Sequence, residues 1–251
     1  MENIKTEEKI PGNCRNCSGP VSKNFCKNCG EPVCLEKIDR KYILDEIGNV
    51  LGKKGGFPYS FFRLLARPGD TVKVYIENDR SKIIKPIVYL LFSILIYTIV
   101  KNLLFTPELV EEESIVANWI NQNLGYFGLI VCFFMAFFIR LFYKKYNHNI
   151  YQVFVLMCFL CGTVEILDSV YNLLFYLFLP ISASTLEITN NIWFFLQFAY
   201  LAWGVASFFD KKKFFNYIKA FLGILFSIIL VIVTGTILEL VILMIIQGLG
   251  G

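Results

Sequence analysis

The residues with the most specific chemistry lie in the segment CRNCSGPVSKNFCKNC. Cys14 and Cys17 are spaced C-x2-C, as are Cys26 and Cys29, with eight residues between the two pairs. Each C-x2-C turn aims two sulfurs at one point, and two such turns close a tetrahedral thiolate shell suited to one structural Zn2+ per chain. The short intervening segment predicts a miniature zinc ribbon. So small a segment has almost no apolar core, so metal binding supplies its folding energy. A closed shell of four thiolates leaves no position for water, which excludes a catalytic zinc. Free thiols on a loop are the plain alternative, and Cys34 is a spare fifth thiol.

Three carboxylates form a second group. Glu165 and Asp168 sit three residues apart in one apolar run, hence on one helical face, and Glu239 sits in another. Ionisable groups inside a span are costly, which makes each a candidate functional residue. Counting along a helix puts Glu165 about 22 Å from Ile150 and Glu239 about 28 Å from Ala220, near one boundary of the bilayer. Two readings stand. In one, Glu165, Asp168 and Glu239 form a cation or proton site. In the other, they snorkel to headgroups or hydrogen-bond to neighbouring Tyr and Asn side chains. Cys158 and Cys161 form a further C-x2-C within an apolar helix, where cysteine behaves as a small hydrophobe. His148, the only histidine, has no nucleophile nearby and no H-E-x-x-H context. No P-loop, GxGxxG or kinase signature occurs, and the expectation is a non-enzyme.

The elements that carry these residues follow from composition. The chain has 251 residues, of which 56% are hydrophobic, with 25 Phe and 13 Tyr. That is abnormal for a water-soluble domain. Five apolar stretches run over 86–105, 124–143, 150–179, 192–209 and 220–246. Each has about the 20 residues a helix needs to cross hydrocarbon. The third and fifth stretches are too long; in the third, about 45 Å as a helix, tilt, a kink near Gly162, a bend onto the outer surface or a re-entrant half-span over 170–179 must absorb the excess. The expected class is an all-α polytopic membrane protein of five transmembrane helices, with an N-terminal zinc ribbon and amphipathic interfacial helices.

Charge sets the orientation. Of 24 Lys and Arg, 23 fall before Pro86 or in the second and fourth loops, against Lys101 alone in the first and third. The positive-inside rule then places the N-terminus in the cytosol and the C-terminus outside. The start MENIKTEEKIPGNC has no secretory signal, so the cysteines are expected reduced.

Residues 1–34 are thus read as a cytosolic zinc ribbon, 35–82 as basic amphipathic helices and 83–251 as the five-span domain. Leu35 to Gly52 has helical apolar spacing. FPYSFFRLLARPGD is stopped by Pro68 and Gly69, and Asp70 caps a further short helix. Basic helices with Phe and Leu on the other face lie in the headgroup layer and attract anionic lipid; the alternative is packing on each other as a small soluble domain. Lipid and orientation account for the basic surface without nucleic acid.

The knuckle FCKNCGE, followed by RLLARPGDTVKVYIENDRSKIIKPIVYLL and several spans, resembles the bacterial domain-of-unknown-function family 3667. The most specific parts are Cys26 with Cys29, the turn Arg67, Pro68, Gly69 to Thr71, and the step from Arg80 to Lys85 and Pro86. The first knuckle departs in having Ser18 before Gly19. A Pro-turn before five spans is also similar to the Yip1-like membrane proteins. These resemblances imply a bacterial inner membrane protein and supply no activity. The leading expectation is a scaffold or adaptor that recruits a cytosolic partner through the zinc ribbon or organises lipid, with a homo-oligomer allowed. The alternative is an ion or solute permeation protein, or a pore-forming effector, that uses the carboxylates.

Overall fold

The structure, a computed structural model, describes residues 13–14, 16–22, 25–29, 56–104, 115–178 and 183–249, with side chains described outside 21–25, 121, 176–187 and 246–249. The expected helix from Leu35 to Gly52, Cys34 and the acidic residues Glu108 to Glu113 lie outside them. The chain divides into two compact units, Met1–Asn49 and Val50–Gly251.

In the first unit, strand β1 (Val21–Ser22) pairs antiparallel with β2 (Phe25–Cys26), Val21 opposite Cys26 and Ser22 opposite Phe25. A bridge between Asn13 and Pro20 extends the pairing toward the first cysteine pair.

The described part of the second unit is helical: α1 (Phe57–Ala66), α2 (Pro68–Glu77), α3 (Pro86–Leu104), α4 (Ile115–Gln122), α5 (Leu124–Phe142), α6 (Ile150–Phe178), α7 (Ala183–Asp210) and α8 (Phe214–Leu249). Five of these, α3 and α5 to α8, are long and apolar enough to cross a membrane. Helix α7 starts earlier than its apolar run because ASTLEITN is helical although polar. Helix α8 starts at Phe214, six residues before its apolar run begins. Helix α4 was not foreseen; its IVANWINQ turns lie between the first two long helices and pack on α8.

Helix α6 is the centre, touching α1, α2, α3, α5 and α7. Many of its side chains are fully buried, among them Val153, Leu156, Met157, Phe159 and Leu160, whereas α8 buries chiefly its start, at Ala220, Ile224 and Ser227. Helix α6 runs unbroken through Gly162 and Val170, so no separate half-span forms over 170–178. Gly162 is instead a packing residue: a Cβ there would meet the Tyr89 ring at 2.9 Å and the Leu90 Cα at 3.2 Å. Close approach of α3 and α6 therefore requires it, and the Tyr89 hydroxyl pairs with Thr163 Oγ1 at 3.0 Å in the same buried contact. On the periphery, Ile232, Leu238, Leu240 and Met244 of α8 are more than half exposed. A face so apolar associates in water and suits hydrocarbon.

Helices α1 and α2, the described part of the expected amphipathic segment, pack on the long helices. They belong to the same compact unit as the long helices. Leu64 and Val72 are fully buried, and α2 packs along α7. The break between α1 and α2 falls at Arg67 because a residue before proline is pushed out of the helical region, here to φ −146° and ψ 66°. Pro68 then begins α2 rather than merely ending α1, since a first-turn position needs no N–H. Asp70 lies inside the first turn, not at the N-cap.

Candidate functional site

Among the described residues, two places that bring chemistry-bearing side chains together concern the candidate residues, one in each unit. In the first, the ligand atoms of Cys14, Cys17, Cys26 and Cys29 all lie within 4.8 Å of one another. The Sγ atoms of Cys14 and Cys29 are 3.5 Å apart, as are those of Cys17 and Cys26. A tetrahedral zinc thiolate with bonds of ~2.3 Å has sulfurs separated by ~3.8 Å, so the cage fits such an ion. Backbone N–H groups of Asn16 and Asn28 donate to Cys14 Sγ and Cys26 Sγ, each at 3.4 Å. These bonds stabilise negative sulfur. A hydrogen bond from the Gly19 backbone, then bonds with Cys29, Cys26 and Asn28, hold the Cys17 thiol below its ordinary pKa against some desolvation. The four residues could hold a metal ion.

The departure in the first knuckle now has a physical meaning. Ser18 has φ 56°, a left-handed conformation, and its N–H donates to Cys14 O at 2.9 Å. An L side chain pays roughly 1 kcal/mol there. Ser18→Gly should therefore tighten metal binding by about fivefold, read as a shift in the chelator concentration that strips the metal.

In the second unit, a cavity of about 320 Å³ is lined by residues from all five long helices. Glu165 and Asp168 of α6 line it, with Tyr97 of α3 and Gln197 of α7. It lies where α6 and α7 make few contacts, in contrast to the close α3–α6 pair. Asp168 Oδ1 bridges that gap by accepting from Trp193 Nε1 at 2.6 Å and from the Gln197 amide. The Tyr171 ring stacks on Trp193 with centroids 4.6 Å apart, and its hydroxyl donates to Asn190 Oδ1 at 2.8 Å. The Glu165 carboxylate has no hydrogen-bond partner among the described residues. Two acids one turn apart in an apolar surround repel when both are ionised, and a cation or proton between them relieves that cost. Tyr97, Trp193 and Gln197 were not singled out from sequence; Gln197 was the available signal, as a polar residue in an apolar run.

Glu239 is not brought to this pair. It is half-buried and lines a different cavity, about 470 Å³, with Trp119 of α4 and Phe134 of α5. His148 packs on Phe208 with centroids 4.9 Å apart and pairs with Gln152, away from the acids.

The Arg67 to Thr71 turn is a clamp. Gly69 N–H donates to Ser207 Oγ of α7 at 3.2 Å, and a Cβ on Gly69 would meet Phe208 N at 2.3 Å. Asp70 pairs with Lys211 at 3.2 Å, and Thr71 Oγ1 donates to Arg63 O at 3.2 Å. Pro68 and Gly69 are buried, whereas Arg67, Arg80 and Lys85 are exposed. Between α2 and α3, Ser81 donates twice to Asp79 Oδ1, which holds that carboxyl below its ordinary pKa. Pro86 opens α3, with Tyr89 N–H on Lys85 O at 2.9 Å.

No curated protein and no solved structure matches the chain, so the Yip1-like resemblance rests on sequence alone. Residues 55–98 match the model of a family described as Protein of unknown function (DUF3667); the chain is similar to that family over α1, α2 and most of α3, the segment that contains the clamp.

Proposed function

We propose that the protein is a non-enzymatic, multi-pass bacterial inner membrane protein whose helical bundle binds a small cation or proton at Glu165 and Asp168 and passes it across the bilayer. The observation that carries this reading is the cavity lined by all five long helices, with both carboxylates on its wall. An isolated ionisable side chain at a protein–lipid boundary snorkels; two acids turned into a shared internal cavity have no such use. The orientation follows the positive-inside rule, with residues 1–34 in the cytosol as a zinc ribbon and the carboxylates nearer the outer face. Zinc is the metal proposed for the four thiolates, as a structural ion.

A hydrophobic carbodiimide tests the site directly, since it modifies protonated carboxyls inside a membrane. Mass spectrometry should find the label on Glu165, reduced at least about tenfold by the bound cation or by high pH, with Glu239 unprotected. Equal labelling of Glu165 under all conditions would remove the site.

The scaffold reading keeps one observation of its own: the cysteine cage falls in a compact unit separate from the helices. In that reading the zinc ribbon recruits a cytosolic protein. The exposed Arg67, Arg80 and Lys85 then hold anionic headgroups.

A further inference from the structure

A groove of about 570 Å³ opens where α1 turns into α2, and its lining includes Tyr59, Phe62, Arg63, Ala66 and Arg67. The N–H of Arg67 donates to Arg63 O at 2.9 Å, so the two arginines stand one helical turn apart. No carboxylate lines the groove among the described residues. Arg63 is oriented from behind: its Nη1 donates to Tyr59 Oη at 2.8 Å, and its guanidinium lies 5.5 Å from the centroid of the Tyr59 ring. Phe62, in the same groove, is 66% exposed. The groove thus joins two positive charges to an apolar wall.

Its place is the end of the bundle where α3 begins and α7 finishes. Phe57, at the start of α1, packs on Tyr89 and Phe92 of α3 with ring centroids 5.1 and 4.7 Å apart. Those rings belong to residues about 5 and 9 Å beyond Pro86 along the helix. One turn on in α1, Ser60 Oγ accepts from Ile84 N–H at 3.0 Å, just ahead of Pro86. Past the groove, Gly69 meets Ser207, one turn before α7 ends at Asp210. The chain from Phe57 to Gly69 therefore follows the boundary at which these helices leave hydrocarbon. By the positive-inside rule that boundary is the cytosolic one, where anionic lipids present their phosphates.

We propose that this groove binds one anionic phospholipid of the cytosolic leaflet, with the headgroup phosphate between Arg63 and Arg67 and the first acyl carbons against Phe62 and Ala66. Guanidinium groups match phosphate oxygens as bidentate forks, and the orientation of Arg63 by Tyr59 lowers the entropy lost on binding. Phe62 selects a lipid over a soluble phosphate: a free anion leaves the exposed ring in water, whereas a lipid covers it. A zwitterionic lipid offers the same phosphate but brings a cation to a groove with no carboxylate to meet it. The site gives the lipid contact of the scaffold reading one defined place. It rests on the membrane placement of the bundle and not on the cation path.

The test uses the full chain in a neutral detergent, titrated with dioctanoyl phosphatidylglycerol and read by native mass spectrometry. One lipid per chain should be retained at saturation, with phosphatidylcholine of the same chain length bound at least about tenfold more weakly. Arg63→Gln with Arg67→Gln should lower the affinity at least about tenfold. Lys144→Gln with Lys145→Gln, at exposed positions in another basic loop, should leave it unchanged. Phe62→Ser, also at an exposed position, should weaken binding about fivefold, and inorganic phosphate in millimolar excess should not displace the lipid. Equal retention of the two lipids, equal loss in the two double variants, an affinity untouched by Phe62→Ser, or displacement by inorganic phosphate overturns the proposal. If the arginine pair fails to fold, Phe62→Ser and the choice between the two lipids still decide. The readout contains no flux, so failure here leaves the cation path standing, and failure of flux leaves this site standing.

Discussion

Stripping the proposed metal ion from the four-cysteine cage should open the cage and leave the helical unit folded. Among the described residues, those around the cage are joined by two-residue strands, one bridge, short backbone hydrogen bonds and the sulfur contacts, too little to offset the entropy of ordering such a segment. In the proposed zinc-bound form the ion supplies the difference, which for a thiolate zinc site is roughly 10–16 kcal/mol at neutral pH. A membrane-permeant chelator should therefore make the thiols of Cys14, Cys17, Cys26 and Cys29 react with a thiol reagent within the mixing time, while the helical circular dichroism signal stays unchanged. Cys26→Ser with Cys29→Ser should reproduce the chelated state. Thiols already fully reactive before chelation would show that the cage does not hold an ion.

Gly69→Ala should be the most damaging single methyl addition in the helical unit. The added Cβ would lie 2.3 Å from Phe208 N and 2.4 Å from Ser207 C. Because the obstruction is backbone, a rotamer change cannot relieve it, and α2 must move away from α7, losing the Gly69–Ser207 hydrogen bond. Overpacking of this kind costs about 1–3 kcal/mol, and this contact belongs at the upper end. Thermal unfolding in detergent should show a drop of several degrees, whereas Arg67→Ala, at an exposed position, should shift it little. Equal stability of the two variants would contradict the clamp. The most recognisable sequence of the matched family segment is thereby explained by docking: Pro68 starts a helix, Gly69 lets it approach α7, and Asp70 meets Lys211.

These residues also show what sequence could reveal. The long helices were legible because hydrocarbon thickness imposes a length and an apolar composition that no partner segment alters. The cage was legible because its geometry is set by local C-x2-C turns. Contacts between distant segments were not. Gly69 reads locally as a helix stop, and its reason lies 138 residues away at Ser207. Asp168 reads as an acid near a helical neighbour, yet its donors, Trp193 and Gln197, are 25 and 29 residues on. The separation of Glu239 from Glu165 depends on which faces α6 and α8 turn toward the bundle, and neither apolar run has a polar stripe that fixes its rotation.

The central claim is that the acidic cavity carries a cation through the bilayer, and flux in proteoliposomes tests it most directly. Full-length protein reconstituted in liposomes should dissipate an imposed proton or monovalent cation gradient, and Glu165→Gln with Asp168→Asn should lower that rate at least about tenfold while Glu239→Gln leaves it unchanged. A wild-type rate equal to that of empty liposomes, or a rate undiminished by the paired amide substitutions, would contradict it.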